Sequence, residues 1–291
     1  MKEMDNQSVN ALNKPIYPCL WFDGNAKEAA NFYCSVFSDS AIYEENPMVV
    51  TFIAAGQKFM CLNGGPQFKF TPAISFYTIV QNEGEIQEVW DKLMVNGRAL
   101  MPLDTYPWSQ KYGWLQDEFG VTWQLTIDKP EFSDQKFIPA LLFSGTNFGK
   151  AEEAINFYTS IFEDSNIKMI SRYGANDANG QDGTINHAQF ALNGNLFAAM
   201  DSSIVHNFDF NEALSFVIEC RDQDQIDYFW EKLVEGGKES QCGWLKDKFG
   251  VSWQIVPEIL SELMSDPERS GRVVQAFMKM KKFDIEELKN A

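Results

Sequence analysis

The side chains that could carry chemistry are few. The chain has two histidines and five cysteines among 291 residues. His187 stands at the entrance of an alternating apolar run, AQFALN, where a polar residue serves either the strand end or the wall of a cleft. His206 lies in the polar stretch SSIVHNFDFNE and reads as a surface residue. Cys19, Cys34, Cys61, Cys220 and Cys242 form no CxxC pair, so neither a zinc ribbon nor a disulfide framework is indicated. A nucleophilic role for Cys220 or Cys242 would need a neighbouring base or cation to generate thiolate, and no histidine accompanies either one. Inert packing is the expectation for both.

The tryptophans point to an internal repeat. GWLQDEFGVTWQLT (113–126) returns almost unchanged as GWLKDKFGVSWQIV (243–256). The match extends through AKEAANFYCSVF (26–37) and AEEAINFYTSIF (151–162), ISFYTIV (74–80) and LSFVIEC (214–220), and WDKLMVNG (90–97) and WEKLVEGG (230–237). The blocks keep their order, which marks duplication of a whole domain, not a short solenoid repeat. The second half has a longer polar loop around GANDANGQDG (174–183), and the first half a longer one containing ALMPLDTYPWSQKY (99–112). The position equivalent to His187 in the first half is Val49, so no chemistry shared by the halves depends on that histidine.

Within each half the pattern reads βαβββ followed by βαβββ. A short apolar run, YPCLWF (17–22), precedes a helical stripe of Ala26, Ala29, Ala30, Tyr33 and Phe37, with Asn25 and Glu28 as a candidate capping pair. The second helix of each half carries Ile86, Val89, Trp90 and Leu93, or Ile226, Phe229, Trp230 and Leu233, on one face. Gly97 and Gly237 fall where C-terminal caps belong, and Gly250 in a hairpin turn. Trp123 and Trp253 are expected in the core beneath the helices. The expected organisation is an arm over 1–14, one domain over 15–130, a second over 137–257 and a helical tail over 258–291, with Pro257 and Pro267 at helix starts.

Composition excludes several function classes. A formal charge of −17 with no basic block repels nucleic acid and anionic lipid, so neither is an expected partner. No apolar run reaches the roughly 20 residues of a membrane helix, and MKEMDNQSVNALNK lacks the apolar core of a secretory leader. A soluble protein of the reducing cytoplasm is the expectation.

The element order, the FY pair ending the first helix and the D-x-F-G turn before the last strand resemble the vicinal oxygen chelate superfamily, which includes glyoxalase I, bleomycin-resistance proteins and extradiol dioxygenases. AEEAINFYTSIF, HAQFALNG, CGWLKDKFGVSWQIVP and AFMKMKKFDIEEL resemble its PhnB-like branch, often labelled demethylubiquinone methyltransferase. The resemblance implies an α+β fold of tandem glyoxalase-like domains, each of paired βαβββ modules whose curved mixed sheets wrap a cleft. It also implies divalent-metal ligands near the ends of the first and fourth strands of both modules. Those positions carry over to Tyr17, Cys61, Ser75 and Gln124, and to Ile138, Ala199, Ser215 and Gln254. None is His, Asp or Glu, so no metal and no other cofactor is expected.

Strand alternation then assigns the metal-site face. In the first half it takes Tyr17, Cys19, Trp21, Phe59, Cys61, Ser75, Tyr77, Thr122 and Gln124; in the second, Ile138, Ala140, Leu142, Phe197, Ala199, Asp201, Ser215, Val217, Glu219, Ser252 and Gln254, with His187 and Trp244 at its border. Such a face describes either a small-ligand pocket or a filled core. Ala140, Ala199 and Ser215 make the second cleft the expected open one. The leading functional reading is metal-free binding of a small apolar or aromatic molecule. A lyase or dioxygenase working through Glu219 and Asp201, or through a metal held between domains, is the alternative. A methyltransferase is disfavoured because no glycine-rich cofactor turn is present. Related single-unit proteins pair as two-fold dimers, so the fused copies could form a pseudo-dimer within one chain, as a monomer or a further homodimer.

Overall fold

In the computed structural model, residues 16–128, 134–177 and 180–291 are described. The expected arm over 1–14 and part of the 174–183 loop lie outside them. The first half runs β1 (Ile16–Phe22), α1 (Ala26–Val36), β2 (Ser40–Glu45), β3 (Val49–Ala54), β4 (Gln57–Asn63), then β5 (Ile74–Val80), α2 (Glu83–Leu93), β6 (Arg98–Tyr106), β7 (Ser109–Gln116) and β8 (Thr122–Ile127). The second repeats it with β9 (Phe137–Phe143), α3 (Ala151–Ile161), β10 (Asn166–Arg172), β11 (Ile185–Leu192), β12 (Asn195–Asp201), then β13 (Leu214–Cys220), α4 (Gln223–Val234), β14 (Lys238–Glu239), β15 (Trp244–Lys246) and β16 (Ser252–Pro257). Three short helices follow: α5 (Ile259–Ser265), α6 (Ser270–Phe277) and α7 (Ile285–Lys289).

The sheets do not follow the halves. One eight-stranded sheet has the order β14-β15-β16-β13-β1-β4-β3-β2, and the other β10-β11-β12-β9-β5-β8-β7-β6. Each is a mixed sheet joining the leading module of one half to the trailing module of the other. The seams are antiparallel: Tyr17 faces Val217 and Cys19 faces Ser215 in the first sheet, while Tyr77 faces Ile138 and Ser75 faces Ala140 in the second. This intramolecular exchange is the pairing that a two-fold dimer of single units would need two chains to make.

Between the sheets lies one large aromatic core. Phe59 of the first sheet meets Phe76 of the second at 5.4 Å between ring centroids, and Phe216 meets Phe197 at 5.1 Å. Trp123 and Trp253 are almost completely buried there, each in ring contact with the tyrosine of an overlying helix, Tyr33 or Tyr158. The opposite faces of the two sheets carry separate small apolar clusters, one around Tyr17, Cys19 and Val217 and one around Ile138, Ala140 and Ala198. These outer faces are the candidate hollows.

Two local expectations need correction. Asn25 makes no side-chain cap; the first helix is capped instead by Asn63 at the end of β4, whose Oδ1 accepts from Ala26 N at 2.9 Å. In the second half Asp201 at the end of β12 does the same work, accepting from Gly149 N, Ala151 N and Ile185 N. Capping by a residue distant in sequence leaves no local signature. Gly97 and Gly237 are not left-handed caps either: the positive φ belongs to Asn96 (56°) and Gly236 (73°). A Cβ at Gly97 or Gly237 would meet the carbonyl oxygen of Gln116 or Lys246, so the hairpin's close approach demands glycine there. Gly250, at φ 89°, does occupy the left-handed turn position.

Replacing Asp201 by alanine strands three amide donors, two of them buried, and is expected to cost about 2–4 kcal/mol in denaturant unfolding, whereas Asn25→Ala stays within about 0.5 kcal/mol.

Candidate functional site

The register decides which side chains share a hollow. On the first sheet, Cys19 lies beside Met60 and Trp21 beside Leu62; Ser215 pairs with Ser252, Val217 with Gln254, and Trp244 with Gln254. The first hollow therefore combines Tyr17, Cys19, Trp21, Met60 and Leu62 from the first half with Ser215, Val217, Glu219, Trp244, Ser252 and Gln254 from the second. The second hollow combines Ile138, Ala140, Leu142, Ala198, Met200 and His187 with Ser75, Tyr77, Thr122 and Gln124. Cys61, Phe59, Ala199, Phe197 and Asp201 point the other way, into the interior. The sequence reading placed them one residue out of phase on β4 and β12, and with a period of two that error reverses the face. Ala140, Ala199 and Ser215 consequently belong to three different surfaces.

In the first hollow, Trp21 and Trp244 meet edge to face at 5.7 Å across three strand spacings, with the Trp21 indole donating to Gly65 O at 2.7 Å. At the other end Glu219 Oε1 accepts from the Tyr17 hydroxyl at 2.7 Å and pairs with Lys58 Nζ at 2.8 Å, while that ammonium sits 4.0 Å above the Tyr17 ring. Burial first, and Glu219 second, hold the Tyr17 hydroxyl well above its ordinary pKa. The floor between is Cys19, Ser215, Val217, Ser252 and Gln254. Gln254 Nε2 donates to Ser215 Oγ at 2.9 Å, and burial pushes the Cys19 thiol up to about 12 despite its contacts with Gln254 and Ser215. At neutral pH that sulfur is a thiol, not a nucleophile. The Ser252 hydroxyl, on a fully buried residue, has no partner among the described residues.

The second hollow is filled by its own side chains. The longer loop of the first half forms an aromatic arm at the β6–β7 turn, where Tyr106, Trp108 and Tyr112 pack on one another at 5.0–5.9 Å. The Tyr112 hydroxyl donates to Gln124 Oε1 at 2.8 Å, and Gln124 Nε2 donates to Ser75 Oγ at 2.7 Å. Tyr77 and His187 meet at 5.8 Å, and burial lowers the His187 pKa, keeping it neutral. Thr122, the counterpart of Ser252, donates to Ile74 O. The buried indole N–H of Trp114 has no partner among the described residues. In the second half the shorter β14–β15 hairpin builds no such arm. Met280 O and Lys281 O of the tail accept from Cys242 N and Gly243 N instead, and Cys242, the counterpart of Tyr112, turns its sulfur to Met278 Sδ at 3.7 Å. His206 is partly exposed on its loop, stacked on Phe208 and bonded to Ser202.

A cavity of about 20 Å³ lies at the seam between the sheets beside Asn195 Nδ2, which has no partner among the described residues. It has room for about one water molecule and is lined in part by Tyr17 and Lys58, behind the charged end of the first hollow.

The ligand positions do not fit a divalent ion. At the four corresponding strands the first hollow offers Tyr17 or Cys19, Met60, Ser215 and Gln254, and the second Ile138 or Ala140, Ala198, Ser75 and Gln124. Neutral hydroxyls, amides and a thiol held protonated are not the carboxylate, imidazole or thiolate donors such an ion requires. Among the described residues no group of three or more His, Cys, Asp or Glu could hold one.

Sequence reasoning missed the most repeated polar cluster. Asp117, in the β7–β8 turn, accepts from Tyr33 Oη (3.0 Å), Trp123 Nε1 (2.8 Å), Phe119 N and Val121 N. Asp247 accepts the same set from Tyr158 (2.7 Å), Trp253 (2.9 Å), Phe249 N and Val251 N. The signal was the joint recurrence of FY and D-x-F-G-x-x-W in both halves. Burial raises each carboxyl to about 6, against the lowering effect of its hydrogen bonds.

Comparison with known proteins agrees with this architecture. The 3-demethylubiquinone-9 3-methyltransferase family matches residues 14–126 and again 135–256. The chain belongs to that family. A Bacillus cereus PhnB protein bearing the same methyltransferase label is 44% identical over 38% of this chain and 98% of its own, with a TM-score of 0.35. Glyoxalase I from Zea mays is 12% identical over 85% of this chain and 94% of its own, with a TM-score of 0.56, which shows a shared tandem glyoxalase-like fold. A dioxygenase-like Bacillus subtilis protein covers 83% of this chain at 11% identity and a TM-score of 0.47. No curated protein matches the chain.

The raised aspartates give a pH signature. Their native forms keep protons up to about pH 6 while unfolded ones lose them near 3.8, so the native state binds more protons between these values. Their contribution to stability is full below the unfolded value and is lost as pH rises through about 6. Urea unfolding at about pH 4.5 and about pH 7 is expected to show wild type gaining roughly 2 kcal/mol more on acidification than Asp247→Asn.

Proposed function

We propose that the protein binds a small, partly aromatic molecule in the first hollow without a metal ion. The observation that carries this reading is the fully buried Ser252 hydroxyl without a partner in an aromatic-walled floor, at a position where the second hollow satisfies its own group through Thr122. A buried polar atom left open calls for water or a ligand to complete it. The missing arm supports the same side, since among the described residues no side chain equivalent to Tyr112 reaches Gln254. Tyr17, Trp21, Val217, Trp244 and Gln254 would then contact the ligand, with Glu219 fixed by Lys58 and Tyr17 at one end. Ser75, Tyr77, Gln124, Ala140, Leu142 and His187 would form a self-filled counterpart.

An acid–base reading rests on Glu219 alone, because Asp201 is committed to capping α3. The methyltransferase label is a family name, and no glycine-rich cofactor turn accompanies it here. Both hollows are completed within one chain, so a monomer suffices for binding in this reading. The free thiols of all five cysteines suit a reducing, cytoplasmic setting, and among the described residues no helix is long and apolar enough to cross a membrane.

The test is a thermal-shift screen of aromatic and dicarbonyl metabolites, run beside elemental analysis of the purified protein. A ligand at about 100 times its Kd adds about 2.7 kcal/mol and raises Tm by several degrees. That rise is expected in wild type and Ala140→Phe and absent in Ser215→Leu. Stoichiometric metal, or a rise abolished by Ala140→Phe instead, would overturn the proposal.

A further inference from the structure

The two hollows are built on the same strands of the same repeat, so one reports what the other is shaped to accept. In the second, Gln124 spends its amide N–H on Ser75 and leaves its carbonyl oxygen for the Tyr112 phenol. In the first, Gln254 spends its N–H on Ser215 in the same way. Among the described residues no hydrogen bond is donated to its Oε1; the contact with Cys19 alongside is one in which the amide donates toward the sulfur. The residue that would supply the phenol is Cys242, with its sulfur turned to the tail. An amide oxygen that receives no donor from the protein is left for solvent or a ligand, whereas the second hollow supplies a tyrosine side chain at that place.

We infer that the ligand of the first hollow is a phenol: an aromatic ring that donates a hydroxyl to Gln254 Oε1, as Tyr112 does to Gln124. This rests on the binding reading above and names its ligand class. The open group is an acceptor, so a ligand offering only carbonyl or ether oxygens cannot satisfy it. Trp21 and Trp244 supply the ring contacts, and Ser252 lies one pleat repeat from Gln254 on the same strand face, where it can bond a second polar substituent.

The probe is p-cresol, which is the tyrosine side chain itself, against 4-methylanisole and p-xylene, which keep the ring and lack the donor. Binding is followed by the indole N–H signals of the eight tryptophans in ¹⁵N-labelled protein. p-Cresol is expected to shift the Trp21 and Trp244 signals and to bind about five- to tenfold more tightly than 4-methylanisole. Gln254→Leu should remove that preference while p-xylene still binds. Tyr112→Ala, which empties the second hollow, should add a second p-cresol site that shifts Trp114. Equal binding of all three probes at Trp21 and Trp244 would overturn the phenol assignment and leave the binding site standing. Absence of binding by any probe in wild type would overturn both.

Discussion

A buried carboxylate shared between a tyrosine and a tryptophan holds each half of this protein together. Tyr33 belongs to α1, which packs on the first sheet, whereas Asp117 and Trp123 belong to the second. Tyr158 and Asp247 make the reciprocal link. Each half has its two modules in different sheets, so this bond links them across the core beside the ring contacts between the sheets. A charge removed from water is tolerated only when its lone pairs are taken up, and each aspartate receives four donors. The raised carboxyl pKa reflects the remaining desolvation. Aromatic rings pack around the cluster and exclude water, which makes the hydrogen bonds both stronger and more costly to break.

Exchange of modules between sheets has a functional consequence. Neither hollow can be assembled from one half alone: Tyr17 needs Glu219, Cys19 needs Ser215 and Gln254, and Tyr77 needs His187. Duplication within one chain then freed the two hollows to diverge. The insertion over 99–112 turned one edge hairpin into an aromatic arm whose Tyr112 satisfies Gln124. The other half kept a short hairpin, and the C-terminal tail occupies its edge through Met280 and Lys281. The same strand scaffold thus carries one hollow whose glutamine is met by a tyrosine of its own arm and one whose glutamine is not.

The shared fold with glyoxalase I does not carry that enzyme's chemistry over. Fold similarity places strands around a hollow; the donors on them decide what the hollow can grip. Here the positions that would face an ion present Ser215, Gln254 and a protonated Cys19, groups suited to hydrogen bonding with a neutral organic molecule.

Much of this was legible in the order of residues. The repeated blocks gave the duplicated βαβββ modules, the helical stripes and the buried Trp123 and Trp253, because periodicity and recurrence are local properties. The indel at 99–112 was visible as well. What required tertiary structure was pairing. Nothing local says that β1 adds to β13 instead of β5, since both seams present the same apolar edge, and that choice decides which residues share a hollow. Nor does the sequence set the parity of β4 and β12, where apolar residues occur on both faces: Met60 rather than Cys61, and Ala198 rather than Ala199, face outward only because their partners on β1 and β9 do. Composition and recurrence determined the units; long-range hydrogen bonding between strands decided the sites.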